Sequence, residues 1–298
     1  MNKAPIVFFA YKRPEHTRRS LESLARCEGA TESELFIYCD GSREKKEVEA
    51  VDEVRSIVKS RKWCGTVHII ERDENIGLAN SIIKGVTERV NTNGSVIVLE
   101  DDLILSSHFL NFMNDALETY KSVDQVMHIS GYMFPVDGNL PETFFYRVPS
   151  SWGWATWKRA WNLFDNDSNN LSKKIKENKS IKAFNIEGSY FFYHMLRQQS
   201  RGKIDSWAVP WYASVFLNKG LCLHPGESLV SNIGHDASGE HCNKSACFDV
   251  TVRADRIKTF TSKIEESKSA VHLMSDFYSS MEKSIIQKMI VILNRARF

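Results

Sequence analysis

Along the first 125 positions, short apolar runs alternate with stretches whose apolar residues recur at helical spacing. Ile6-Val7-Phe8-Phe9-Ala10, Leu35 to Cys39, Val67 to Ile70 and Val96-Ile97-Val98-Leu99 read as strands. Between them, Leu21, Leu24 and Ala25 share one helical face behind Pro14, and Val48, Val51, Val54 and Val58 share another. Leu78, Ile82, Ile83, Val86 and Val90 mark a third helix after the break at Asn75-Ile76-Gly77. A fourth, with Phe109, Met113, Ala116, Leu117 and Tyr120 inward, is predicted to be capped by Ser106 or Ser107. Strands alternating with helices predict an α/β fold with a mostly parallel central sheet flanked by helices.

From about residue 126 the pattern changes. Phe144-Phe145-Tyr146 and Trp152, Trp154, Trp157 and Trp161 form an aromatic block, followed by a polar helix-forming stretch near residues 170–200. A helix over Val209 to Asn218, a strand over Leu221 to His224, and an irregular segment over 225–248 rich in Gly, Ser, Asn and His complete this part. The expected organisation is therefore 1–125, a smaller second half over 126–250, and a helical extension over 251–298. In the tail, Ile285, Ile286, Met289, Ile290, Ile292 and Leu293 alternate with Lys283, Lys288, Arg295 and Arg297. A basic amphipathic helix of this kind suits peripheral contact with an anionic membrane, packing on the domain, or a homodimer contact.

Composition adds little but excludes much. The 298 residues are 42% hydrophobic and 26% charged, which is the profile of an ordinary globular chain rather than a disordered one. A net charge of only +2 argues against a nucleic-acid partner. Ile6 to Ala10 is too short to span a membrane and is followed by no cleavage site, so a cytoplasmic protein with reduced thiols is expected. Cys242 and Cys247 beside His235 and His241 lack a C-x2-C pair, and a closed zinc site is the lesser reading.

Chemistry concentrates where strands end. Glu100-Asp101-Asp102 follows the most apolar strand directly, and three adjacent acids at a buried strand end repel one another unless a cation is near. Ligands of open α/β sheets bind outside the carboxyl ends of the strands. A hard divalent cation with open positions for diphosphate oxygens fits such a triplet, although helix capping by Asp101 and Asp102 is the alternative. Asp40, in Asp40-Gly41-Ser42, is either a strand-end ligand group or a turn aspartate. Arg72, Asn75 and Gly77 precede a helix N-terminus, a favourable place for anions, or else form an ordinary turn.

VIVLEDDLILSSHFLNFM resembles the metal-binding strand of GT-A glycosyltransferases, and is most similar to the N-acetylglucosaminyltransferase I type with its E-D-D motif. Further blocks follow in the same order: Tyr11-Lys12-Arg13-Pro14, Asp40, Arg72 to Asn80, Trp152-Gly153-Trp154 and Pro225 to Cys242. Bacterial surface-polysaccharide transferases carry blocks similar to the run through Asn232-Ile233-Gly234-His235-Asp236. The resemblance spans roughly residues 5–245 and implies a GT-A (Rossmann-like) hexosyltransferase. It would move a sugar from a nucleoside diphosphate donor, a UDP-sugar, with Mn2+ or Mg2+, to a glycan or lipid-linked glycan acceptor.

By the same resemblance, Asp102 is the metal ligand, with His235 and His241 completing the metal shell or touching the diphosphate. Glu100 and Asp101 act through water or contact the donor, Ala10, Tyr11 and Arg13 clasp the nucleotide, and Asp40 accepts from the base. Arg72, Asn75 and Gly77 face the diphosphate. Trp152, Gly153 and Trp154 wall the sugar, unless the tryptophans are a packing cluster. The general base is Asp205, with Asp236 in reserve; related sequences carry an acid at the position of Ala208. A nucleotidyltransferase or a non-catalytic nucleotide-sugar-binding module are the competing readings.

Overall fold

The computed structural model describes the backbone of residues 3–236 and 247–295 and the side chains of these up to residue 281. Its centre is an eight-stranded sheet in the order β3-β2-β1-β4-β8-β6-β9-β7. The strands are β1 (Ile6–Ala10), β2 (Glu34–Cys39), β3 (Thr66–Glu71), β4 (Ser95–Glu100), β6 (Val126–Ser130), β7 (Thr143–Tyr146), β8 (Trp154–Trp157) and β9 (Leu221–Pro225). A separate ribbon pairs β5 (Leu103–Leu105) with β10 (Val230–Asn232). β1 to β4, β6 and β9 run one way, while β7 and β8 run against them. The mostly parallel α/β sheet expected from the alternating pattern is present.

Every residue of β1 is buried, because β1 sits between β2 and β4 with helices on both faces. On one face lie α1 (Pro14–Ala25), α2 (Val48–Lys59) and α4 (Phe109–Thr119); Leu21, Val54, Phe109 and Met113 share a core there with Ile6 and Phe8. On the other lies α3 (Leu78–Asn93), whose Ile82, Val86 and Val90 pack under Val7, Phe9 and Val98. Alternate residues of β1 and β4 therefore feed two different cores, as a two-sided sheet requires. The chain steps from β1 to β2 and β3 on one side, then returns to place β4 on the other, which makes the carboxyl ends of β1 and β4 the switch point of the sheet.

The second half departs more from its sequence pattern. Trp154–Trp157 is a strand, inserted antiparallel between β4 and β6, so the strands before and after residue 125 belong to one sheet. The polar stretch expected near 170–200 breaks into α6 (Ser168–Glu177), α7 (Ile181–Phe184) and α8 (Phe192–Gln199), after the short α5 (Lys158–Trp161). Lys179, Ile186, Glu187 and Gly188 turn the chain at positive φ between them. The expected helix near 209–218 is α9 (Ala208–Leu217). Ser106 does not cap α4: the N-cap is His108 with no side-chain cap bond, and the Ser106 hydroxyl instead donates to the Arg253 carbonyl at 2.7 Å.

The final helix, α10 (Lys268–Arg295), lays Ala270, Met274 and Tyr278 into a small core with Phe144, Tyr146 and Tyr212. Its start is tied down by Arg147, which pairs with Glu266 through Nε at 2.7 Å and Nη2 at 2.5 Å. The basic apolar stretch considered for membrane or dimer contact lies past residue 281, where side chains are outside the described set. Among the described residues no helix is long and apolar enough to cross a membrane.

Beneath β6 and β9 two histidines are wholly buried. His128 Nε2 donates to the Ser150 carbonyl at 3.0 Å and Nδ1 accepts from Trp211 Nε1 at 3.1 Å, so the neutral ring is satisfied at both nitrogens. Burial and the neighbouring His224 push its pKa down to about 3, and burial lowers His224 to about 4. In the unfolded chain both rings protonate near 6.5, so acidification below about 6.5 favours unfolding, down to the folded values. Each ring is expected to contribute a loss of about 1.4 kcal/mol per pH unit at most in that window. Urea denaturation between pH 7 and 4.5 checks this: stability falls with pH, and His224→Gln flattens the fall. A slope unchanged in that variant excludes the assignment.

Candidate functional site

Strand-end geometry assembles the site. Phe9 of β1 stands beside Glu100 of β4, so the residues that follow, Ala10 to Arg13 and Glu100 to Asp102, emerge together at the switch point. They open onto a cavity of about 480 Å³. Its lining includes Ala10, Tyr11, Arg13, Asp40, Asn75, Glu100, Asp101, Asp102 and Asp205, which are far apart in the sequence.

The acids are held by one guanidinium. Arg13 Nη2 pairs with Asp101 Oδ1 in a very short contact and with Asp102 Oδ2 at 3.0 Å, and the Tyr11 N–H approaches Asp101 Oδ2 at 3.4 Å. Asp101 and Asp102 are only 5% and 7% exposed, so this pairing is sheltered from solvent screening. One cation does not balance three carboxylates. Burial, then the charges of Asp102 and Asp101, raise Glu100 to about 8, and burial raises Asp101 despite Arg13. Glu100 therefore holds its proton at neutral pH, and a cation bound beside it would favour its charged form.

The all-oxygen donor set fits Mg2+ or Mn2+, which are commonly held by one or two carboxylates plus substrate phosphates rather than by a full protein cage. That limit matters, because among the described residues no three His, Cys, Asp or Glu side chains gather into a metal-holding cluster. The β5–β10 ribbon brings the 232–236 run to Asp102: the Ile233 N–H donates to the Asp102 carbonyl at 2.8 Å, and Gly234 N–H to Asn232 Oδ1 at 2.7 Å. A Cβ on Gly234 would lie 2.2 Å from Asp102 Oδ2 and 2.9 Å from Arg13 Nη1, so only glycine allows this approach. His235 follows, with its ring against Trp152 and Phe248 and its Nε2 buried without a hydrogen-bond partner. His241 and Cys242 lie outside the described residues, so neither the expected His241 ligand nor the zinc alternative can be placed; Cys247 is exposed.

Three expectations change in detail. Arg72 does not face the cavity. Its guanidinium donates to Ser81 Oγ at 2.6 Å, lies 3.5 Å from Asp40 Oδ1 and covers the Tyr38 ring at 5.4 Å, so it braces Asp40 rather than offering a phosphate contact. Asp40 itself accepts the Ile76 and Gly77 N–H groups, each at 3.1 Å, which fixes the loop before α3 and uses much of its acceptor capacity. Trp154 is not a sugar wall. It is fully buried, stacked on Trp207 at 4.8 Å and His128 at 5.1 Å, because its strand lies inside the sheet. Gly153 is likewise a packing residue at φ +65, its missing Cβ leaving room for Val230 and Phe109. Trp152, by contrast, lines the cavity.

On the α3 side, Asn75 accepts from Arg43 Nε and from the Gly77 N–H through Oδ1, and donates to the Gly41 carbonyl. Gly77 takes φ +81 as the N-cap of α3, and Leu78 and Ala79 of its first turn line the cavity. Asp205, from the segment between α8 and α9, lies beside the start of α3, its Oδ2 3.7 Å from where a Gly77 Cβ would be. Ala208 lines the same cavity. Asp236 instead pairs with His16 at 3.2 Å.

Sequence reasoning missed Lys12 and Arg43 as cavity residues. Glu47 gathers them, accepting from Lys12 Nζ at 2.6 Å, Tyr11 OH at 2.6 Å and the Arg43 N–H at 3.1 Å. Tyr38, read as a residue of an apolar strand, and Trp207 also line the cavity. The one available signal was Glu47 at the head of α2, three residues after Glu44 in a capping box.

No protein-family model matches the chain, and no curated protein sequence is significantly similar to it. Among solved structures, the mannosyltransferase PcManGT from Pyrobaculum calidifontis, in complex with GDP-Man and Mn2+, superposes with a TM-score of 0.40 at 9% identity, over 72% of this chain and 68% of that one. S. aureus TarS 1-349 gives 0.42 at 12% identity, over 76% and 59%. A UDP-glucose pyrophosphorylase complexed with UDP-glucose gives 0.38 at 11%, over 76% and 91%. These likenesses are loose, and the chemistry rests on the residues of this chain.

Removing Arg13 leaves two buried carboxylates unpaired, so Arg13→Met is expected to destabilise the fold by roughly 3 kcal/mol. Mn2+ is expected to raise the thermal midpoint of Arg13→Met by more than it raises that of wild type, since the cation then supplies the missing charge. Equal responses in calorimetry would show that the acids do not receive the cation.

Proposed function

We propose that this chain is a metal-dependent, inverting glycosyltransferase that moves a sugar from a nucleoside diphosphate, a UDP-sugar, to a hydroxyl of a glycan acceptor. The observation that carries the reading is one cavity lined both by Glu100, Asp101 and Asp102 at the switch point and by Asp205 from the segment between α8 and α9. Strand-end carboxylates, a helix N-terminus and a separate carboxylate are the three parts such a transfer needs.

In this reading Asp102 holds Mn2+ or Mg2+ together with donor diphosphate oxygens, with Glu100 and Asp101 contributing through water and His235 nearby. When bound, the cation would offset the charge that develops on the departing diphosphate. The first-turn N–H groups of α3 attract the same phosphates. Asp40 and Asn75 keep the loop ahead of that helix in place, and an Asp40 lone pair accepts from the base. Ala10 and Tyr11 bound the nucleotide at the end of β1. Trp152 offers a flat face to the sugar. Asp205 accepts the proton of the acceptor hydroxyl as its oxygen bonds to the anomeric carbon and the bond to the diphosphate breaks. Transfer from the opposite face inverts the configuration. Residues 1–125 then serve the donor and 126–250 the acceptor.

The acceptor we favour is a growing bacterial surface glycan, free or lipid-linked, met at the inner face of the cell membrane by a cytoplasmic protein. The nucleotidyltransferase alternative is weaker, since the turn after β1 holds no glycine-rich basic loop. Lys12 there is held by Glu47, and Arg13 by the acids.

A thermal-shift panel of UDP-, GDP- and dTDP-sugars with Mn2+ is expected to single out one donor for wild type and none for Asp102→Ala. Asp205→Asn is expected to bind that donor normally while transfer falls by about 100-fold or more. Wild-type binding without turnover on any acceptor would leave a binding module. Near-normal transfer by Asp205→Asn would remove Asp205 from the role.

A further inference from the structure

At the opposite end of the sheet, where β2 and β3 begin rather than end, a second cavity of about 420 Å³ is lined by Arg26, Thr31, Arg61, Lys62, Trp63 and Cys64 among others. It holds three cations and no carboxylate. Among the described residues none of the three makes an ion pair, whereas the nearby acids are engaged elsewhere. Glu32 is held by Lys3 at 3.1 Å and Glu28 by Asn111 at 2.7 Å.

The floor is built rather than incidental. Trp63 is 4% exposed and donates through Nε1 to the Val58 carbonyl at 3.0 Å, while the Arg61 guanidinium lies over its ring at 4.1 Å. The two loops that form the walls are clamped together, Gly65 N–H to the Ala30 carbonyl at 3.0 Å and Thr66 N–H to the Ser33 carbonyl at 3.2 Å. Gly65 approaches Thr31 so closely that a Cβ would lie 2.3 Å from its carbonyl oxygen. Helix-end electrostatics account for Arg26, the C-cap of α1. Arg61 and Lys62, the two residues after the α2 C-cap Ser60, stand at the negative end of that helix in the same way, and all three cations are exposed.

We infer that this cavity binds a phosphate group. Two guanidinium forks and an ammonium around a rigid aromatic floor match a compact dianion, since arginine donates in pairs to phosphate oxygens and lysine adds a point charge. The source is either a soluble phosphate compound or the headgroup of an anionic lipid. The site is independent of the transfer chemistry proposed above, because none of its lining residues reaches the acidic cavity.

The test titrates the full chain with inorganic pyrophosphate in the presence of EDTA, reading heat and tryptophan fluorescence. A parallel arm uses flotation with phosphatidylcholine vesicles, plain or doped with phosphatidic acid. The comparison protein is the triple variant Arg26→Gln, Arg61→Gln, Lys62→Gln, checked for an unchanged melting temperature. Wild type is expected to bind pyrophosphate saturably, with affinity at least about tenfold above the variant. Trp63→Phe is expected to keep the heat and lose most of the fluorescence change. Retention on phosphatidic acid vesicles that the variant loses, with no pyrophosphate binding, assigns the headgroup as the source. Equal behaviour of wild type and variant towards both probes overturns the inference.

Discussion

The contact on which the rest of the site depends is the grip of Arg13 on Asp101 and Asp102. It joins the chain just past β1 to the chain just past β4, at the switch point between these two parallel neighbours. A carboxylate pair this sheltered is tolerated because a guanidinium is present to share its charge. Beside that pair, burial and the two aspartates push Glu100 up to about 8, so it holds its proton at neutral pH. Gly234 then seals the arrangement from a segment more than a hundred residues further on.

Around these acids the protein uses its other polar residues mainly to hold backbone. Asp40 and Asn75 fasten the entry to α3, Arg72 supports Asp40, and Glu47 ties Tyr11, Lys12 and Arg43 into one rim. Such second-layer bonding restricts the rotamers of the residues that face the cavity, a condition for positioning a flexible ligand within a few tenths of an ångström. Apolar lining comes from both halves of the chain, Phe9, Tyr38 and Leu78 from the first and Trp152, Met195 and Ile204 from the second.

The first half of this picture was legible in advance. β1, β2 and β4 are near-continuous apolar runs whose neighbours have helical spacing, and the triplet at 100–102 is conspicuous because nothing apolar dilutes it. The second half was not. β8 is a central strand made of Trp154, Ala155, Thr156 and Trp157, whose burial on both sides removes any alternation, so Trp154 looked like an exposed stacking platform. Arg72 was misplaced for a related reason: a cation before a helix N-terminus reads as a phosphate contact, and only the fold shows that Asp40 and Ser81 have taken its donors. Long-range pairings such as Leu103 with Asn232 leave no local trace.

The position of β8 has a consequence for how the chain can be divided. Ser95–Glu100 is covered on one side by β1 and on the other by β8, which arrives from beyond residue 150. A fragment ending near residue 125 would present Val96-Ile97-Val98-Leu99 as a bare sheet edge. An uncharged, β-branched edge of that kind recruits other strands, and the fragment would self-associate rather than stand alone. The two halves of the cavity lining are therefore bound to travel together in any shortened or recombined version of the protein, because the strand that carries the acids is completed only by the second half.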